Sequence, residues 1–210
     1  MSLDYLRDPD AIYAQSFSVI RREADLLSLP VELRDVAVRM IHACGMVDLV
    51  NDIVGDAKVV GAVLRALRAG APILCDAEMV RAGIISRYLT GDNEIVVLVH
   101  DTRTPALAQK LGTTRSAAAV ELWRDRMAAA VVVIGNAPTA LFHLLAMLNA
   151  GAPKPAAIIA TPVGFVGATE SKALLAEGRH GIPFLTVLGR RGGSAIASAA
   201  FNAIAKGMAS

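Results

Sequence analysis

In the stretch RMIHACGMVDLV, residues 39–50, a histidine stands two positions from a cysteine and three from an arginine, just ahead of a glycine. A histidine beside a thiol would suit nucleophilic catalysis, and a histidine beside an arginine would suit proton transfer on an anionic substrate. Helix geometry separates the two. Residues two apart are turned about 200° from one another, so Cys44 cannot partner His42 in a dyad. Residues three and four apart share a face, which groups Glu32, Asp35, Arg39 and His42 opposite the apolar positions. A cysteine nucleophile is thereby removed and a histidine/arginine face remains. Position alone still favours the bland reading of that face, a solvated surface with a histidine near a helix C-terminus.

Other candidates are weaker. His100 ends a strand-like run, His143 lies in an apolar helix and His180 in a loop, and no pair has a metal-ligand spacing, so no protein-bound metal is expected. GFVGATESK fails as a phosphate loop because Ser171, not glycine, precedes Lys172, and no GxGxxG follows the first strand. GRRGGSA offers Arg190, Arg191 and Gly192 before a helix, where backbone N–H groups and cations could meet an anion; an ordinary strand-to-helix turn explains the glycines equally well. Arg115 in TTRSAAAVELW sits in a first helical turn, where the dipole does not favour a cation; an anionic partner or surface chance would account for it.

These groups need a frame. Asp8 and Pro9 read as N-cap and first residue of a helix whose stripe is Tyr13, Phe17, Ile20, Ala24 and Leu27, with Ser16 on its flank and Pro30 beyond its end. A second helix from Pro30 buries Leu33, Val36, Ala37, Met40, Ile41 and Cys44, with Gly45 as its cap. From about residue 56 the chain alternates. An amphipathic helix to Gly70 leads to the apolar runs PILCD, EIVVLVH, AVVVIG, AAIIAT and PFLTVLG. Helical segments beginning near 114, 138, 169 and 194 separate most of them, indicating about five parallel strands with helices on both faces. Ligands of such sheets bind beyond the strand carboxyl ends.

With 210 residues, 54% of them apolar, and no linker or repeat, the chain reads as one domain, residues 1–210. A net charge of +2 without a basic tract excludes nucleic acid as an obvious partner. The apolar stretches are too short to span a bilayer, and the acidic start does not resemble a signal peptide. Two cysteines cannot build a disulfide framework, and a cytoplasmic location is expected.

Six motifs in order, RMIHACG, GAPILCDAEMV, TTRSAAAVELW, GNAPTALFHLL, PVGFVGATESK and GRRGGSA, together resemble the precorrin-8X methylmutase (precorrin isomerase) family of cobalamin biosynthesis. The similarity covers essentially the whole chain. It implies a flavodoxin-like fold, a homodimer, no cofactor, and transfer of a methyl group from C-11 to C-12 of the tetrapyrrole precorrin-8X to give hydrogenobyrinic acid. It also implies that His42 is the acid/base and that Ser16 and Arg39 contact substrate; Arg115, Arg190, Arg191 and Gly192 are added as substrate-binding candidates. The chemistry suits these types: an imidazole can lend a proton to the ring system, and arginines can pair with acetate and propionate arms. Alternatives are a cobalt-precorrin-8 methylmutase, a corrinoid-binding or channelling protein without activity, and a flavodoxin-like redox protein with bound flavin.

Overall fold

Asp8 and Pro9 open the first helix as their order predicts. The computed structural model describes residues 3, 5–89 and 91–208, so residues 1, 2 and 4 of the acidic start fall outside it. In α1 (Pro9–Glu23) the Asp8 carboxylate accepts the Asp10 N–H at 3.0 Å. The helix ends well short of Pro30. Ala24 is extended, and the Ser28 hydroxyl bonds back to the Asp25 carbonyl at 2.7 Å, closing a 3-10 turn at Leu26–Ser28. Leu27, expected in the apolar stripe, therefore lies past the helix and is 79% exposed. In α2 (Val31–Cys44) the expected residues Leu33, Val36, Ala37, Met40 and Ile41 are buried, and Gly45 ends the helix at φ +72°.

The centre is a six-stranded sheet of β1 (Ile53–Gly55), β2 (Ile73–Cys75), β3 (Ile95–Val97), β4 (Val131–Ile134), β5 (Ala157–Ala160) and β6 (Phe184–Val187), in the order β1-β6-β5-β4-β2-β3. The last five are parallel to their neighbours, and numbered among themselves they follow the flavodoxin-like order 2-1-3-4-5. The sixth strand was not expected: β1 pairs antiparallel with the edge of β6, Ile53 opposite Val187. Three residues after a polar turn are too few to display alternation.

Successive strand residues feed opposite cores, as the pleat requires. Ile73, Val131, Val133, Ile159 and Leu185 face α3 (Lys58–Arg68), α4 (Glu78–Gly83) and α9 (Ser194–Ala205). Leu74, Val132, Ile134 and Ile158 face α6 (Arg115–Glu121), α7 (Pro138–Asn149) and α8 (Ala168–Ala176), and α5 (Thr104–Leu111) packs on α6. α4 and α5, six and eight residues long, are too short for their periodicity to stand out from the flanking loops in sequence. The helix expected over residues 114–130 ends at Glu121, and a 3-10 turn at Arg124–Arg126 follows it, with Trp123 and Met127 buried. α2 packs on α9 and α1 on α2, leaving α1 and the outward flank of α2 at the surface. No helix among the described residues is long and apolar enough to cross a membrane.

Candidate active site

The buried stripe of α2 turns Arg39 and His42 outward toward α1. The His42 ring centroid lies 5.4 Å from that of Tyr13, and 5.3 Å from that of Phe17, which it meets edge-on at 81°. The Arg39 guanidinium stands over the same two rings, 5.9 Å from Tyr13 and 5.6 Å from Phe17. Two spacings produce this cluster: Tyr13 and Phe17 are one turn apart on α1, and Arg39 and His42 one turn apart on α2. Tyr13 and Phe17 read from sequence as core stripe, yet neither is buried. They form the wall against which the histidine and arginine are set. Asp35, one step back on the same face of α2, makes an exposed ion pair with Arg21 of α1 at 3.0 Å beside the cluster.

His42 separates two open cavities. One, of about 520 Å³, lies between α1 and the end of α2 and includes Gln15, Ser16, Val19, Gly45 and Val47 in its walls. The other, of about 480 Å³, is walled by Arg39, Met79, Gly83, Ser194, Ser198 and Asn202. Ser16 and Arg39 thus approach the histidine from opposite sides. Ser194, at the start of α9, was missed from sequence except as the end of GRRGGS. Its hydroxyl oxygen is buried without a hydrogen-bond partner among the described residues, so a polar ligand group could engage it.

The strand ends serve this groove indirectly. At the switch point between β2 and β4, Asp76 is 2% exposed and accepts the N–H groups of Gly135 at 2.9 Å, Asn136 at 2.9 Å and Ala137 at 2.7 Å. Burial raises the Asp76 carboxyl above its ordinary range, with these N–H groups opposing the rise. A side chain on Gly135 would meet Ser194 Cα at 2.7 Å and Val80 at 2.9 Å. The crevice that holds ligands in many folds of this order is filled by the protein's own groups, and the opening lies one layer out, along α2 and α9.

The remaining candidates are dispersed. Arg191 gives its guanidinium to the protein itself: Nη1 meets Asp48 at 2.7 Å, and Nη2 and Nε meet Asp52 at 2.5 and 3.1 Å. Its carbonyl accepts from Lys172 Nζ at 2.6 Å, and that lysine is fully buried. Burial pulls the Lys172 ammonium down to about 8, against the attraction of Asp52. Gly192 has φ +156° and is pressed against the Thr161 carbonyl, leaving no room for a Cβ. Arg190 is exposed and stacks 5.3 Å over Phe165. Arg115 is exposed at the first position of α6, in the opposite helix layer, and borders neither cavity.

The other histidines and both thiols stand apart from His42. His143 is paired with Glu121 at 2.9 Å, and His100 lies in a turn beyond β3. Cys44 bonds back to the Ile41 carbonyl at 3.5 Å. Burial drives the Cys75 thiol far up, so it stays protonated.

Comparison with known proteins gives this arrangement a context. The family described as CbiC, precorrin-8X methylmutase, matches residues 11–207. The precorrin-8X methylmutases of a Sinorhizobium species and of Pseudomonas aeruginosa are 56% and 55% identical, over 97% of this chain and 97% and 98% of theirs. A cobalt-precorrin-8 methylmutase of Priestia megaterium is 33% identical, over 93% of this chain and 87% of its own. Among solved structures, the precorrin-8X methylmutase of Thermus thermophilus superimposes with a TM-score of 0.85 at 34% identity, covering 95% of this chain and 96% of that one. By profile, by sequence and by fold, this chain belongs to the precorrin-8X methylmutase family.

Proposed function

We propose that the chain isomerises precorrin-8X to hydrogenobyrinic acid, with His42 as the general acid/base and Ser16 and Arg39 as substrate contacts. The observation that carries this reading is the place of His42, the shared wall of two cavities with its ring set against Tyr13 and Phe17. A broad, flat polycarboxylate suits such a groove: it can lie across the histidine while its arms reach cations at the rim. In the reaction the bond from the methyl carbon to C-11 breaks as that to C-12 forms, so no group enters or leaves. A proton lent by the imidazolium to the ring system makes it more electron-poor, and it returns to His42 when the shift is complete. The whole chain acts as one domain in this reading, in the cytoplasm.

The metal-free substrate is favoured over the cobalt complex by the 56% and 55% identities to relatives named for precorrin-8X, against 33% for the relative from Priestia megaterium. Incubating the purified protein with each substrate and following the absorption spectrum tests both points. Faster conversion of precorrin-8X is expected. Preference for the cobalt substrate would reverse the assignment, and tight binding without conversion would make the protein a carrier.

The reading includes a homodimer. Val163, Phe165 and Val166 leave apolar surface exposed in the β5–α8 loop, Phe165 and Val166 at 85% and 89%. Arg115, in the opposite helix layer and bordering neither cavity, would reach the same macrocycle through a second copy. Sedimentation equilibrium distinguishes the dimer from the monomer.

A further inference from the structure

Next to the histidine cluster lies a third cavity, of about 360 Å³, which the proposed reaction has not yet used. Its walls include Asp10, Arg39, Arg87, Tyr88 and Lys206, and the outer sides of Tyr13 and Phe17. It is continuous in composition with the groove, because Arg39 borders both this cavity and the 480 Å³ one, and Tyr13 and Phe17 also hold His42. Among the described residues its walls carry the cations Arg39, Arg87 and Lys206 against the carboxylate of Asp10, a balance that favours an anion. Partial burial raises the Tyr88 phenol, but a hydrogen bond with Arg87 and the charges of Arg39, Arg87 and Lys206 outweigh this and draw it below its ordinary range.

The two outer cations are 119 residues apart in sequence, and they meet where the turn that carries Arg87 packs on the turn Lys206–Met208 after α9. Asn202 of α9 accepts the Ile85 N–H at 2.9 Å and donates to the Gly83 carbonyl at 2.7 Å. These bonds fix the segment that leads into the 3-10 turn Ser86–Tyr88, which carries Arg87. Lys206 follows Asn202 by four residues, one turn further along. Asn202 itself is among the residues that line the groove.

We infer that Arg87 and Lys206, beside Tyr88 in the same hollow, form a carboxylate subsite that holds one acidic arm of the macrocycle. The inference rests on the reading that the groove binds precorrin-8X. The hollow is too small for a corrin ring but suits an acetate or propionate arm, which would enter past Arg39 and accept from the Arg87 guanidinium and the Lys206 ammonium. Asp10 also lines the hollow, and its charge disfavours an arm settling beside it. The arm takes no part in the methyl shift, so anchoring it here adds binding energy that substrate, transition state and product share.

The test is steady-state conversion of precorrin-8X by wild type, Arg87→Ala, Lys206→Ala, the double variant and Arg87→Lys, with hydrogenobyrinic acid affinity measured by absorbance titration. Each single alanine variant is expected to raise KM and the product Kd about tenfold, with kcat within about twofold, as for loss of one charge-assisted hydrogen bond. The double variant should lose more than either single, and Arg87→Lys should recover part of the loss. Unchanged KM and Kd in both single variants, or a loss confined to kcat, would overturn the subsite. If wild type binds product but converts nothing, the isomerase reading fails, and the Kd comparison alone decides the subsite. If wild type binds no product, both fail.

Discussion

His42 and Phe17 meet edge to face, their ring centroids 5.3 Å apart with 81° between the planes, although α1 and α2 bring them together from residues 25 positions apart. The contact limits the imidazole to a narrow range of orientations at the boundary of two cavities. Arg39 stands over the same Phe17 ring, so one aromatic side chain touches both His42, the proposed acid/base, and the Arg39 guanidinium.

Phe17→Ala should therefore damage turnover more than binding. A fall in kcat of about tenfold with KM changed less than about threefold is expected, together with a loss of about 1–2 kcal/mol of stability for a half-buried aromatic. Phe17→Tyr should retain the ring contact and restore kcat. If denaturation shows the stability loss while kcat is untouched, the contact is packing alone.

Asp76→Asn should destabilise the fold by about 2–3 kcal/mol in urea denaturation. The amide nitrogen cannot accept, so at least one of the N–H groups of Gly135, Asn136 and Ala137 loses its partner at a buried site. Equal midpoints for the two proteins would mean that the turn does not depend on this carboxylate.

Lys172 makes stability depend on pH in a defined window. Its folded value is near 8 and its unfolded value 10.5, so between these the unfolded chain holds a proton that the folded chain has released. Stability contributed through this group must rise with pH across that window, and below it the buried charge subtracts. The unfolding free energy of wild type relative to Lys172→Met is expected to increase by about 1–2 kcal/mol between about pH 7.5 and about pH 9.5. Referring to the variant removes the opposing drift from Cys75, which stays protonated in the fold but ionises when unfolded. A flat difference would contradict the burial of the ammonium.

Much of the frame was legible because periodicity reports local burial. The stripe from Leu33 to Ile41 and four-residue runs such as VVVI and AIIA identify α2, β4 and β5 directly. β1 was not legible, since its three residues acquire meaning only by pairing with β6. Helical spacing likewise joined Arg39 to His42, but it could not tell whether Tyr13 and Phe17 faced the core or the histidine. That depends on how α1 crosses α2, a tertiary fact. GRRGGS looked like an anion loop for the same reason: sequence displays the arginines, while Asp48 and Asp52, which occupy Arg191, lie about 140 residues away. Arg87 and Lys206 carry no motif, and they come together only in the fold, where the turn Ser86–Tyr88 packs on the turn Lys206–Met208.

The most direct test of the central claim is single-turnover conversion of precorrin-8X by wild type and His42→Ala, with hydrogenobyrinic acid affinity measured on both. Loss of the acid/base is expected to slow conversion by about 10²–10⁴-fold while product affinity stays within a few-fold of wild type. Conversion by His42→Ala at the wild-type rate would contradict the account, because the groove would then act without its histidine.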